Sequence, residues 1–232
     1  MWILAGIVML GAAAPARADL EIWLSSTNGT NNNPPLSSDG VATASSGTTA
    51  QFSNPNFNGF NIDVLAVSSN SPGSPPFSQL TGETLKITNN NATTETLFIT
   101  LGDTDFMSPT SATLLSHIGG TVVIPDPANT LTYWSYVNTN NAQNGTGGFT
   151  PGGQTPGITS GSFNNDASLS LPSLGTPYSI TERFALTLSA GSEINFSSSS
   201  TLAALPEPSS LVLAAIGALG LTGYGVRRRG KA

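Results

Sequence analysis

Tyr178–Leu188 reads YSITERFALTL, and its alternation decides the fold. Tyr178, Ile180, Phe184, Leu186 and Leu188 fall on one face, with Thr181, Arg183, Ala185 and Thr187 on the other, which is the period of a strand. Glu182 lands on the apolar face, so a bulge or an edge position is expected there. Moving outward, residues 84–88 (TLKIT) and 97–101 (LFITL) alternate in the same way, and Asn89-Asn90-Asn91 breaks the chain between them. This predicts a β-hairpin or adjacent meander strands joined by a turn. Further strands are predicted over residues 20–24, 59–67, 112–118, 121–124, 131–137, 168–171 and 192–196. Helical periodicity is missing between residues 19 and 205. The fold class is therefore all-β: an antiparallel β-sandwich of jelly-roll or immunoglobulin-like type over residues 19–196. Residues 25–58 and 138–165 are poor in apolar side chains and read as loops. Residues 197–205 read as a spacer.

Composition narrows the function. Of the 232 residues only 9% are charged, against about a quarter in an ordinary globular domain. Between residues 19 and 205 stand twelve acids and two cations, Lys86 and Arg183, a balance of −10. Nucleic acid is thereby excluded as a partner, because phosphate neutralisation needs Lys and Arg in numbers. The chain has no cysteine and one histidine, His117. Disulfides, thiolate metal sites and Cys nucleophiles are excluded, and a Ser-His-Asp triad would have to use His117.

Both ends carry addresses. Residues 2–14 (WILAGIVMLGAAA) form an apolar run too short to span a bilayer, followed by Pro15 and Ala16-Arg17-Ala18. Small residues at Ala16 and Ala18 are what a signal peptidase reads, so residues 1–18 are expected to be a signal peptide removed before Asp19. At the other end, Pro206-Glu207-Pro208 precedes the uncharged run 211–226 (LVLAAIGALGLTGYGV), which stops at Arg227-Arg228-Arg229. As a helix those sixteen residues reach about 24 Å, a marginal span of the bilayer's apolar core. Basic residues after such a span hold its C-terminal end in the cytoplasm.

The Pro-Glu-Pro motif, the single transmembrane segment (209–226) and the basic tail (227–232) together resemble the tripartite PEP-CTERM sorting signal of exported bacterial proteins. The resemblance implies a precursor anchored in the inner membrane, processing by exosortase near Pro206, Glu207 and Pro208, and delivery to the cell surface or outside the cell. It also implies a setting in which exopolysaccharide is made. Leu205 and Pro206 echo a Gram-positive sortase signal, but Pro208 and Ser209 replace its Thr and Gly.

Chemistry inside the body is sparse. Asp103 and Asp105, two residues apart at a strand end, are the weak candidate for a metal. Six to eight oxygens are needed for Ca²⁺, and Asp is a common turn former, which favours a structural turn. Trp134 and Tyr136 share one face of a strand whose other face carries Tyr133 and Val137. They are candidate glycan-contact aromatics, although packing in the core is the commoner use of such residues. Gly-x-Ser-x-Gly, phosphate-loop and His-Glu-x-x-His motifs do not occur, and no cofactor is expected. The expectation is a non-enzymatic exported surface or matrix protein associated with exopolysaccharide. The alternatives are a carbohydrate-binding or adhesive module and, behind it, a secreted hydrolase.

Overall fold

The computed structural model describes residues 20–26, 40–44 and 48–205. Eleven strands follow one another: β1 (Leu20–Ser26), β2 (Gly40–Ala44), β3 (Thr49–Phe57), β4 (Phe60–Ser69), β5 (Phe77–Asn89), β6 (Glu95–Phe106), β7 (Ala112–Ile124), β8 (Thr130–Asn138), β9 (Gly161–Leu171), β10 (Tyr178–Leu188) and β11 (Glu193–Ala204). They form two antiparallel sheets, β2-β1-β6-β10-β8 (sheet A) and β3-β4-β5-β11-β7-β9 (sheet B). From β5 onward, successive strands alternate between the sheets. Residues 149–154 take the place beyond β8, through the bridges Val137 to Phe149 and Tyr133 to Gln154. The two half-sheets β5-β11-β7-β9 and β6-β10-β8-(149–154) are the two four-strand layers of a jelly roll. Strands β1 to β4 widen both layers beyond β6 and β5.

Alternation builds the core as expected. Tyr178, Ile180, Phe184, Leu186 and Leu188 of β10 are buried, as are Leu97, Ile99 and Leu101 of β6. Phe184 lies at the centre, its ring 5.0 Å from Tyr133 and 5.1 Å from Phe196 of the facing sheet. Each such aromatic pair adds about 0.5–1.5 kcal/mol beyond its buried area.

Five expectations are corrected, four of them about the extent and pairing of strands. Residues 84–88 and 97–101 do not form a hairpin, because β5 lies in sheet B and β6 in sheet A. The turn at Asn89 arches across the sandwich, its side chain donating to Leu188 O at 2.7 Å and Thr93 O at 2.9 Å. Residues 112–118 and 121–124 are one strand, β7, whose ladders continue through Gly119 and Gly120. The loose reading of 25–58 misses β2 and β3. Most consequential, residues 197–204 are not a spacer: they belong to β11, held between β5 and β7 in the middle of sheet B.

Glu182 is neither at a bulge nor on an edge. Its register with β6 and β8 is regular, and it is fully buried in the central strand β10. The irregularity in β10 comes earlier, between Tyr178 and Ile180. Glu182 crosses the sandwich to accept a hydrogen bond from Ser198, which explains why β11 can place serines in a core. Ser200, equally buried, shares a hydrogen bond of 3.1 Å with the Tyr133 hydroxyl. Space for the carboxyl comes from Gly82, where a Cβ would lie 2.4 Å from Leu101 Cδ1 and 2.8 Å from Ser198 Oγ.

Candidate functional site

The outer face of sheet A gathers aromatic side chains around a single cation. In β8, Leu131, Tyr133, Ser135 and Val137 point inward and are buried, so Trp134 and Tyr136 stand on the outer face, half-buried. The core role favoured for them belongs instead to Tyr133. Register carries the row across the sheet: Trp134 is opposite Arg183, Arg183 opposite Thr100, and Thr100 opposite Trp23. Trp23 and Trp134 thus stand three strand spacings apart, about 14 Å. Neighbouring rows add Tyr136, next to Thr181, and Phe98, next to Ala185. Between the aromatics the floor is made of buried Thr100 and Thr181. Burial pushes the Tyr136 phenol above its ordinary value, and the nearby Arg183 charge pulls it partly back.

Residues 139–160 frame this face. Gly153 packs so closely on Trp134 that a Cβ there would come within 2.6 Å of the indole Nε1. Gln143 Nε2 donates to Gly102 O at 3.1 Å, and Asn144 Nδ2 donates to Glu21 at 3.1 Å. The segment read as a loop is therefore an ordered rim. Trp23 and Arg183 escaped notice as site residues, although the signal was present. Trp23 alternates with buried Ile22 and Leu24, which assigns it to the outer face of β1.

Sheet B offers a polar outer face. One row runs Asp166, His117, Ser199, Thr81, Ser68 and Thr49 across all six strands. An open groove of about 530 Å³ lies over its start, lined by His117, Asp166, Ser168 and Ser199. His117 Nδ1 and Asp166 Oδ1 are 2.7 Å apart, but both side chains are well exposed, 42% and 72%. No hydrogen bond joins His117 to Ser199 among the described residues. The imidazole Nε2 instead leans along β7 to 3.2 Å from where a Gly119 Cβ would sit. Asp, His and Ser share a row, yet the relay from base to nucleophile is not made.

Asp103 and Asp105 do different jobs. Asp103 is buried and accepts from the Thr104 amide at 2.8 Å. Asp105, with φ 65°, exchanges two hydrogen bonds with Asn141 at 2.9 and 2.7 Å. This reciprocal pair pins the rim to the end of β6, a structural use. Among the described residues no group of three or more His, Asp or Glu side chains comes together to hold a metal.

The expected signal-peptidase site, Ala16, Ala18 and Asp19, lies outside the described residues, as do Pro206, Glu207, Pro208, Arg227, Arg228 and Arg229. The chain can be followed to the threshold of the sorting segment. Ala204 N donates to Pro76 O at 2.9 Å, and Leu205 N to Ser111 O at 3.2 Å. Folded structure thus runs to the residue before Pro206.

Comparison with known proteins bears on that segment. Residues 204–229 match the family model of the PEP-CTERM protein-sorting motif. The chain carries this motif, which implies an exported, membrane-anchored precursor and processing by exosortase. No curated protein sequence matches the chain. Among solved structures, TmCBM61 in complex with β-1,4-galactotriose is similar at 6% identity and TM-score 0.34, over 60% of this chain and 88% of that one. The enzymatically active domain of tailspike protein 4 of bacteriophage CBA120 is similar at 10% identity and TM-score 0.30, over 56% of this chain and 18% of that one. Likeness this low says nothing about ligands.

Proposed function

We propose that the chain is a non-enzymatic surface or extracellular-matrix protein whose sandwich holds exopolysaccharide on the outer face of sheet A. Export by the signal peptide and removal of the tail by exosortase deliver the sandwich to the cell surface. There, Trp23, Trp134 and Tyr136 present ring faces for sugar C–H groups, while Arg183 and the rim amides supply hydrogen bonds. Aromatic platforms with a few fixed polar groups are what a ligand site of this kind needs. The observation that carries the reading is the placement of Trp134 and Tyr136 on the outside of β8, when the inside already has Tyr133. A body of net charge −10 between residues 19 and 205 stays hydrated beside such polymers. The reading contains no catalytic step.

Affinity electrophoresis of a fragment spanning residues 20–205, through gels containing exopolysaccharide from the native host, tests this. Retardation is expected, with Trp134→Ala and Tyr136→Ala each weakening it roughly tenfold, about 1.4 kcal/mol. His117→Ala, on the other sheet, should leave it unchanged. Equal mobility with and without polysaccharide would remove the assignment.

A further inference from the structure

The two ends of the sandwich differ in chemistry. One end is built from residues 70–76 (NSPGSPP), 107–111 (MSPTS) and 172–177 (PSLGTP), and none of these loops contains a charged residue. Hydrogen bonds knit them into one surface: Met107 N to Pro72 O at 2.9 Å, Leu174 N to Thr110 O at 2.7 Å, and the Tyr178 hydroxyl to Ser108 O at 2.7 Å. On it Phe77 is 41% exposed and Met107 50%. The opposite end carries Asp126, Glu193 and Glu95, and has its own exposed apolar pair, Val123 and Ile124.

The chain leaves from the end that these three loops build. Phe77 is paired with Ala203, and Leu205 is still held by Ser111. Five residues, 206–210, separate Leu205 from the apolar run beginning at Leu211. Fully extended, that connection reaches at most about 21 Å, and two of its residues are prolines. In the anchored precursor the end bearing Phe77 and Met107 is therefore tethered within that reach of the bilayer.

We propose that this end docks on the phospholipid surface of the membrane that holds the tail, with Phe77 and Met107 entering the boundary between headgroups and acyl chains. Exposed apolar side chains gain free energy there. Anionic headgroups repel carboxylates over about a Debye length; Asp126, Glu193 and Glu95 are on the far end, and Asp105, two residues before Met107, has its carboxylate engaged by Asn141 Nδ2 at 2.7 Å. Docking rests on the membrane-anchored precursor alone and is independent of polysaccharide binding. Its consequence is a fixed height for Pro206–Pro208 above the bilayer.

The natural chain has no cysteine, so single-cysteine variants report cleanly. Phe77→Cys, Met107→Cys and Ile124→Cys are introduced separately into the full chain. Each precursor is accumulated in an exosortase-deficient host, purified from the membrane and labelled with an environment-sensitive fluorophore. Reconstitution uses vesicles of phosphatidylethanolamine and phosphatidylglycerol, with and without a headgroup nitroxide lipid. All three positions are exposed, and circular dichroism verifies the fold of each. The labels at 77 and 107 should shift to the blue and be quenched several-fold more than the label at 124. Adding Met107→Asp should return the label at 77 to its aqueous spectrum, which proximity by tethering alone would not do. Aqueous spectra at 77 and 107, matching that at 124, would overturn the proposal and leave the face to a protein partner.

Discussion

Glu182 makes the stability of the sandwich depend on pH near neutrality. Burial pushes its carboxyl from 4.5 up to about 7, and the hydroxyls of Ser198, Ser200 and Tyr133 hold that rise back. The folded chain therefore keeps its proton after the unfolded chain has released it. Stability from this group is complete below pH 4.5, falls as pH rises, and is flat above about 7. Each pH unit in that window is worth about 1.4 kcal/mol, so the whole descent amounts to about 3 kcal/mol. With a typical urea dependence of about 1–3 kcal/mol per molar, the unfolding midpoint should drop by roughly 1 M or more. Urea titrations of the 20–205 fragment, followed by tryptophan fluorescence at steps from pH 4 to 8, measure this directly. The series is run in a His117→Asn background, which removes the one imidazole of the chain.

Glu182→Gln supplies the decisive comparison. The amide keeps the shape and cannot ionise, so its midpoint should not move between pH 4.5 and 7. Its absolute stability is a poor criterion, because the new N–H₂ needs an acceptor that the site was not built to offer. The slope is the quantity to read. A midpoint that is level across the window with Glu182 in place, or a Gln variant that keeps the slope, would refute the reasoning.

Four further outcomes follow, two from the structure and two from the sequence of the tail. Gly82→Ala places a methyl 2.4 Å from Leu101 Cδ1 and 2.8 Å from Ser198 Oγ, and should destabilise by about 1–3 kcal/mol, measured by urea unfolding at pH 5. A fragment ending at residue 196 loses most of β11, the strand between β5 and β7, and should show no cooperative unfolding by circular dichroism, whereas 20–205 should. In the sorting segment, Glu207→Ala should leave membrane insertion intact but accumulate uncleaved precursor. Joint replacement of Arg227, Arg228 and Arg229 by Ala should misplace the tail, and immunoblots of membrane and medium, with and without exosortase, separate the two.

Much of this molecule is legible in its sequence because the physics there is local. Alternation in Tyr178–Leu188 and in residues 97–101 marks strands whichever partner they choose. The tail is legible for a similar reason, since motif, apolar run and arginines are contiguous. Pairing is another matter. The turn after β5 could close a hairpin or arch to the facing sheet, and its Asn-rich sequence suits either. What decides is the non-local set of contacts in a jelly roll, to which a six-residue window is blind. The serines of β11 misled in the same way: they read as solvent-seeking until Glu182 and Tyr133, from the opposite sheet, supply their partners.

Strand β8 shows where a local rule reaches its limit. Both of its faces carry aromatics, Tyr133 on one and Trp134 with Tyr136 on the other. Bulk alone cannot say which face is buried. Leu131 and Val137 break the tie, because they share the face of Tyr133 and leave Thr130 and Thr132 to accompany Trp134 and Tyr136. An outer face bearing two large aromatics beside threonines adds nothing to the core between the sheets, and the rim reaches it through Gly153 on Trp134. That surplus, repeated at Trp23 on the far side of the sheet, is what makes the face a candidate site, and it becomes visible only when the register joins β8 to β1 through Arg183 and Thr100.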